Sequence, residues 1–186
     1  GRWAVSSFQL KQFQQQLNQL LLAFSLPGEF HAQLTALFER YEQPGYRYSR
    51  EVKGLPEPAY HLPGVMLEEI QIPLSALAQE RPRPALLLAQ ECWQDAYFET
   101  KWVAALVLGQ APMFDVSLLI EAINGMLAHA PAAEHQLLLF EQGARRLREE
   151  RFDVWADMIA GWLGQAETCG RGLYALSRGV EAGDEP

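Results

Sequence analysis

Arginines and glutamates are interleaved in residues 145–151, the most densely charged segment of this chain. If the segment is helical, Arg145, Arg148 and Arg151 fall on successive turns, where they could contact the phosphates of a nucleic acid. A glutamate also stands four residues after Arg145 and four after Arg146, the spacing at which opposite charges pair on a helix. The spacing therefore favours a self-neutralised face exposed to solvent, and a stripe of phosphate contacts is the alternative.

The other residue types that carry out catalysis or bind metals are scattered. No nucleophile-elbow, phosphate-loop or zinc-protease motif occurs in the sequence. The histidines lack the spacing of metal ligands, and we expect them at surface or helix-capping positions. The cysteines have no CxxC partner, which predicts reduced and largely buried thiols. No metal or other cofactor is therefore expected. The residues concerned are His31, His61, His129, His135, Cys92 and Cys169.

A second group of cations lies in residues 46–63, where prolines and glycines predict a connecting loop. Two tyrosines alternate there with Arg47, Arg50 and Lys53, a pattern that could stack on bases and touch phosphates. The more common role of such aromatics is to pack on neighbouring helices, and this is the interpretation that we favour.

The composition is typical of a globular protein, with 49% apolar and 20% charged residues in a chain of 186. A net charge of −8 lowers the expectation of a nucleic-acid partner, because phosphate binding depends on clustered Lys and Arg. No apolar run approaches the roughly 18 residues that a membrane helix needs. The residues that begin the chain, Gly1-Arg2-Trp3, lack a secretory pattern, so the expected localisation is cytoplasmic.

Apolar residues recur at helical spacing along nearly the whole chain, and no alternating strand pattern competes with them. The stripe Phe13, Leu17, Leu20, Leu21 and Phe24 marks the first of these helices. Pro73 is expected to kink or split one helix, prolines open another, and Asp115 is a predicted N-cap. The predicted helices span residues 3–24, 29–42, 64–79, 82–94, 96–110, 116–129, 132–150, 152–163 and 168–180.

Short helices of this kind cannot bury their apolar faces alone, and they pair at residues 64–95, 96–130 and 131–164. A pair length of about 32 to 35 residues predicts an all-α fold of HEAT-like antiparallel pairs stacked in a curved, right-handed solenoid. A compact helical bundle is the alternative. The predicted single domain has an N-terminal pair (1–45), the loop (46–63), the repeats (64–180) and an acidic tail (181–186). Trp93, Trp102 and Trp162 are expected at the junctions between pairs.

Four elements in residues 60–180 resemble, in order and spacing, the DNA alkylation repair proteins, which are built from HEAT-like repeats. The first is a Gly-Val pair followed by a helix with an early proline, and the second is an alanine- and leucine-rich helix ending in tryptophan. The third is an aromatic-Glu pair that opens an alanine-rich helix, and the fourth is a tryptophan followed about nine residues later by arginine and an apolar helix. Here they are Gly64-Val65 with Pro73, Ala85-Leu86-Leu87-Leu88-Ala89 with Trp93, Phe98-Glu99 with Ala104-Ala105-Leu106-Val107-Leu108-Gly109, and Trp162 with Arg171 and Leu173-Tyr174-Ala175-Leu176.

The resemblance implies a concave groove that grips duplex DNA, and an aspartate beside tryptophans that stabilises the cation-like sugar as an alkylated base leaves. In residues 128–140 of this chain, no tryptophan and no aspartate stands where the family has them, and Glu134 is the one carboxylate. Gly172 also replaces the second arginine of the C-terminal pair. The chain therefore looks like a degenerate member that keeps the scaffold without the catalytic residues.

From these observations we expect a non-catalytic HEAT-like scaffold whose concave surface binds a protein or duplex DNA, without a membrane or a metal. The alternative is a DNA glycosylase that excises alkylated purines, for which Glu134 is a weak catalytic candidate. If DNA is bound, Arg145, Arg148 and Arg171 are the candidate contacts. The helices that follow Pro84, Asp115 and Phe152 are expected to form part of the inner face.

Overall fold

The computed structural model describes residues 5–43 and 55–182 and is all-helical over that part of the chain, with no strand. The two tyrosines and three cations singled out in the loop lie outside the described residues, as do residues 183–186 of the acidic tail. They are Tyr46, Arg47, Tyr48, Arg50 and Lys53. The helices are α1 (Ser7–Leu21), α2 (Pro27–Tyr41), α3 (Gly64–Glu80), α4 (Pro82–Trp93), α5 (Phe98–Gln110), α6 (Val116–Leu127), α7 (Ala133–Leu138), a π-helical turn (Leu139–Gly143), α8 (Arg145–Glu150), α9 (Phe152–Leu163) and α10 (Cys169–Ala182).

Local signals mark the starts of two helices, α1 and α6. α1 begins later than predicted because Ser6 caps it: its hydroxyl accepts from the backbone N–H of Gln9, whose side chain bonds back to Ser6. The predicted cap at Asp115 is confirmed by a 3.2 Å bond from the N–H of Leu118. Pro73 neither splits nor ends α3, which runs through it. Because proline has no amide hydrogen, the regular bond back along the helix is missing there.

The first two helices form an antiparallel hairpin. Phe13 packs edge-on against Tyr41 at one end, with ring centroids 5.3 Å apart. Phe24 packs against Phe30 at the other end, at 6.3 Å. Four positions of the predicted stripe are buried, and the fifth, Leu21, is partly buried, so the stripe does face the core. The buried positions are Phe13, Leu17, Leu20 and Phe24.

Helix α5 departs from the predicted amphipathic pattern, because it is buried on nearly every side. It packs against α3, α4, α7, the π-helical turn and α8. The approach to the π-helical turn is close: a Cβ added at Gly109 would stand 1.7 Å from the carbonyl oxygen of Gln142. Only glycine fits at this position, since any side chain would displace the backbone of the neighbouring element.

The single helix predicted over residues 132–150 is wrong, because α7 gives way to a π-helical turn and then to α8. The N–H of Ala144 donates to the carbonyl of Leu139, five residues back, at 2.7 Å. This widened turn carries the backbone that lies against Gly109. The interruption therefore follows from the packing of two elements distant in sequence.

Two of the three tryptophans that the sequence places at helix junctions, Trp93 and Trp162, lie between helices as predicted. Trp93 and Trp162 are buried, and their indole N–H groups donate to the carbonyl of Met126 and the side chain of Asn124, both on α6. Trp102 is only partly buried. Trp155, which the sequence did not single out, is buried as well.

Most helix contacts join elements one or two places apart in the chain: α1 contacts α2 and α3, α2 contacts α4, α3 contacts α4 and α5, and α4 contacts α5 and α6. Helix α5 is the exception, because it packs against the π-helical turn and α8, whereas it makes at most slight contact with α6, the helix predicted to pair with it over residues 96–130. Helix α7, the π-helical turn and α8 follow one another as a single interrupted helix that packs beside α5. Helix α8 contacts α9, and α9 contacts α10. One hydrophobic core runs through all of these contacts.

Candidate functional site

The buried polar residues gather where α4 turns into α5. Glu99, in the first turn of α5, is 2% exposed, and each of its oxygens accepts a backbone N–H. These donors are Tyr60, at 3.0 Å, and His61, at 2.8 Å. Glu99 thus fastens the extended segment before α3 to the start of α5. Because both oxygens are already bonded, this carboxylate has a structural role.

Lys101 joins the carboxyl ends of two helices. Its ammonium donates to the carbonyl of Trp93 at the end of α4 and, at 3.5 Å, to that of His129 after α6. It also lies 4.6 Å from the centre of the Trp93 ring. A cation is favoured beside free carbonyls at helix ends. Burial lowers the pKa of Lys101, although the negative charge of Asp95 acts in the opposite direction.

His31 of α2 bridges two carboxylates at the end of α4. Its Nε2 lies 2.7 Å from Asp95, and its Nδ1 lies 3.2 Å from Glu91. Burial by itself would lower the pKa of His31, but the hydrogen bonds and charges of the two carboxylates outweigh it and raise that pKa. The bridge holds the N-terminal hairpin against the rest of the chain.

Two further histidines differ in environment. His135 caps α7 through Nδ1, which accepts the N–H of Ala132 at 3.3 Å, so its predicted capping role is confirmed. Burial, and next the charge of Lys101, lower the pKa of His135. His61 is neither exposed nor a cap: it is buried with Nε2 2.8 Å from Glu57.

The predicted catalytic candidate Glu134 is exposed in the first turn of α7. A carboxylate there complements the positive end of the helix. It is the neighbour in sequence of the buried His135, but the aromatic ring that contacts His135 belongs to Phe98, a residue of α5. Glu134 therefore faces water at the start of a helix.

The arginines of α8 are engaged within the chain. Arg145 pairs with Glu149 at 3.1 Å, and Arg146 pairs with Glu150 at 2.8 Å, so the predicted helical pairs are confirmed. Arg146 also donates to the carbonyl of Gln110 at 3.0 Å. The third cation, Arg148, is partly buried and donates to the carbonyl of Glu141 at 2.6 Å. These bonds tie α8 to α5 and to the π-helical turn.

Arg171 lies over the indole of Trp162, with its guanidinium carbon 5.7 Å from the ring centre. The tryptophan and arginine singled out nine residues apart in sequence are therefore neighbours in space. Burial lowers the pKa of Arg171. Phe140 lies beneath, with its centroid 5.9 Å from that of Trp162. Stacking of this kind stabilises the junction of α9 and α10 with the π-helical turn.

An open groove of about 520 Å³ lies between α1 and α3. Its volume lies within the range of ligand-binding clefts. Its accessible apolar surface comes from Pro73, which is partly buried, and from Ile72, which is 79% exposed and stands at the rim, whereas Leu17 is only 3% exposed. Two carboxylates and two amides complete the lining. The lining residues are Gln14, Leu17, Asn18, Glu68, Glu69, Ile72 and Pro73.

The sequence does not reveal this groove. Leu17 belongs to the core stripe of α1, and no recognisable motif surrounds the glutamates of α3. The available signal was an acidic pair, Glu68-Glu69, followed within one turn by Ile72-Pro73 on an otherwise apolar helix. That signal becomes a site only when α1 is placed beside α3.

No protein-family model, curated protein or solved structure matches the chain. Among the described residues, no group of His, Cys, Asp and Glu is placed to hold a metal ion. Cys92 is buried and Cys169 partly buried, and both are free thiols. Burial raises the pKa of the Cys92 thiol. Within the described ranges, no helix has the length and apolar character needed to cross a membrane.

Proposed function

We propose that this chain is a non-catalytic scaffold of stacked, HEAT-like helix pairs that presents a concave surface to a protein partner. Packing in chain order supports the stacked arrangement, because each repeat of a solenoid contacts mainly its neighbours. The interruption at the π-helical turn is compatible with this order. From the resemblance to the DNA alkylation repair proteins, we carry over only the helical scaffold and not the activity.

The observation that carries the choice of partner is the distribution of charge. Arg145 and Arg146 are paired with glutamates, and Arg171 covers a tryptophan. The large groove, in contrast, is lined by Glu68 and Glu69, and none of its described lining residues is Lys or Arg. A duplex phosphate backbone would be repelled by that lining, whereas a protein surface with basic residues would be attracted.

The alternative, excision of alkylated purines, would need a carboxylate fixed beside the sugar in a site shielded from water. Glu134 is exposed on the first turn of a six-residue helix, so it lacks that shielding. The buried carboxylate Glu99 has both oxygens bonded to backbone amides. Neither residue supports glycosylase chemistry.

A base-release assay tests the catalytic alternative. The purified chain is incubated with duplex DNA that contains 3-methyladenine and 7-methylguanine, and we expect no release above the protein-free control. Duplex binding should be weak, insensitive to alkylation and steeply reduced by salt. Base release that disappears in Glu134→Gln would contradict the proposal and establish the enzyme.

A peptide-display selection tests the scaffold itself. The immobilised chain is exposed to a random displayed peptide library, with an unrelated helical protein of similar net charge as the control. We expect enrichment of one sequence pattern on this chain alone. Failure to enrich any pattern would remove the support for a protein-binding scaffold.

A further inference from the structure

We propose that the α1–α3 groove binds a basic amphipathic helix of the partner, with Lys or Arg side chains at Glu68 and Glu69 and apolar side chains on Ile72 and Pro73. This inference rests on the proposed scaffold function and adds the location and the chemistry of the bound segment. Helices are commonly recognised by laying an apolar face into a groove of this kind.

The polar lining of the groove has capacity that the chain does not use. Glu68 is exposed. Glu69 is partly buried, and one of its oxygens accepts the side-chain amide of Gln14 at 2.9 Å. That bond crosses from α1 to α3 and holds Glu69 at the groove. A carboxylate has two oxygens with about four acceptor positions, so both glutamates can accept further donors.

The backbone adds a third acceptor. Pro73 has no amide hydrogen, so it cannot make the regular helical bond to the carbonyl of Glu69, four residues earlier. Both residues line the groove. An ammonium or guanidinium has several donors and could engage this carbonyl together with a carboxylate.

The apolar part of the groove lining indicates that the ligand also has an apolar face. Ile72 is 79% exposed although it is a large aliphatic residue, and it stands beside the carboxylates. A free cation such as a polyamine would leave this surface uncovered. A helix with one basic and one apolar face covers both kinds of surface, and the chain's net charge of −8 would speed its approach.

Fluorescence anisotropy with designed peptides tests the inference. The probe is a labelled Leu/Lys amphipathic helix of about four turns, compared with Leu/Glu and Leu/Gln peptides of the same pattern. We expect the Leu/Lys peptide to bind most tightly. The double variant Glu68→Gln with Glu69→Gln should weaken its binding about tenfold while keeping an acceptor for Gln14.

The matched control is Glu121→Gln with Glu141→Gln, which removes the same charge from exposed positions outside the groove. It should change affinity less than about twofold, because distant exposed charges are screened at about 0.15 M salt. Equal losses in both double variants, equal binding of the Leu/Gln peptide, or no binding of the Leu/Lys peptide would each overturn the groove assignment. So would self-association of the chain that the groove variant abolishes. Enrichment of acidic peptides in the display selection would also overturn it, while leaving the scaffold proposal standing.

Discussion

Carboxylates occupy two contrasting regions of this molecule. At the start of α5, Glu99 is almost completely buried, and both of its oxygens are bonded to backbone amides. In the α1–α3 groove, Glu68 is exposed and Glu69 is held by one bond to Gln14. The same functional group therefore joins two segments of the chain in one region and faces solvent in the other.

The difference shows that burial decides whether a carboxylate stabilises the fold or can bind a ligand. A buried charge is tolerated only when it is hydrogen-bonded, so its neighbours are fixed, and burial keeps a ligand from reaching the acceptor positions that remain. An exposed carboxylate exchanges water for a ligand at little cost. We therefore place stability around α5 and recognition in the groove, and four predictions test that division.

The largest effect is expected at Glu99. Glu99→Ala leaves the buried amides of Tyr60 and His61 without an acceptor and should lower the free energy of unfolding by about 3–5 kcal/mol. Glu99→Gln keeps one acceptor oxygen and should cost less. Urea denaturation followed by circular dichroism measures both. A loss below about 1 kcal/mol for Glu99→Ala would remove the structural role.

The close packing of α5 is tested at Gly109. Gly109→Ala places a methyl group against the carbonyl of Gln142 and should cost about 3 kcal/mol, because the π-helical turn must move away. Gly125→Ala is the matched helical control, since a Cβ there meets nothing within 4 Å. It should stabilise the chain by about 0.5 kcal/mol. Equal effects of the two substitutions would contradict the contact.

A smaller, pH-dependent effect is expected at His31. Its raised pKa means that the folded chain binds the proton more tightly than the unfolded chain. The stabilisation is complete below the unfolded pKa of about 6.5 and is lost as pH rises through the folded value. The free-energy difference between wild type and His31→Gln should thus shrink by about 1 kcal/mol or less between about pH 5 and 8. A difference independent of pH would show that His31 acts by packing alone.

The smallest effect on stability is expected in the groove. Glu68→Gln should leave the free energy of unfolding within about 0.5 kcal/mol of wild type, because the side chain is exposed. The same substitution should weaken binding of the Leu/Lys peptide. A large loss of stability would place Glu68 with Glu99 among the structural carboxylates and erase the contrast between the regions.

Features that depend on neighbours within a few residues could be read from the sequence. The amphipathic stripe from Phe13 to Phe24 predicted the buried face of α1 and of the turn that follows it, and Asp115 marked the start of α6. The pairing of Arg145 with Glu149 followed from their spacing of one helical turn. Such signals are local because helical bonds and caps link residues three to five apart.

Three features were decided only by the tertiary structure: the break in the helix after α7, the burial of Glu99 and the open groove. The π-helical turn follows from the contact of Gln142 with Gly109, and the burial of Glu99 follows from the segment at Tyr60 and His61. The groove joins α1 to α3 through a bond between residues 55 positions apart. No local pattern encodes these features, because each depends on which distant surface comes within van der Waals or hydrogen-bond distance once the chain is packed.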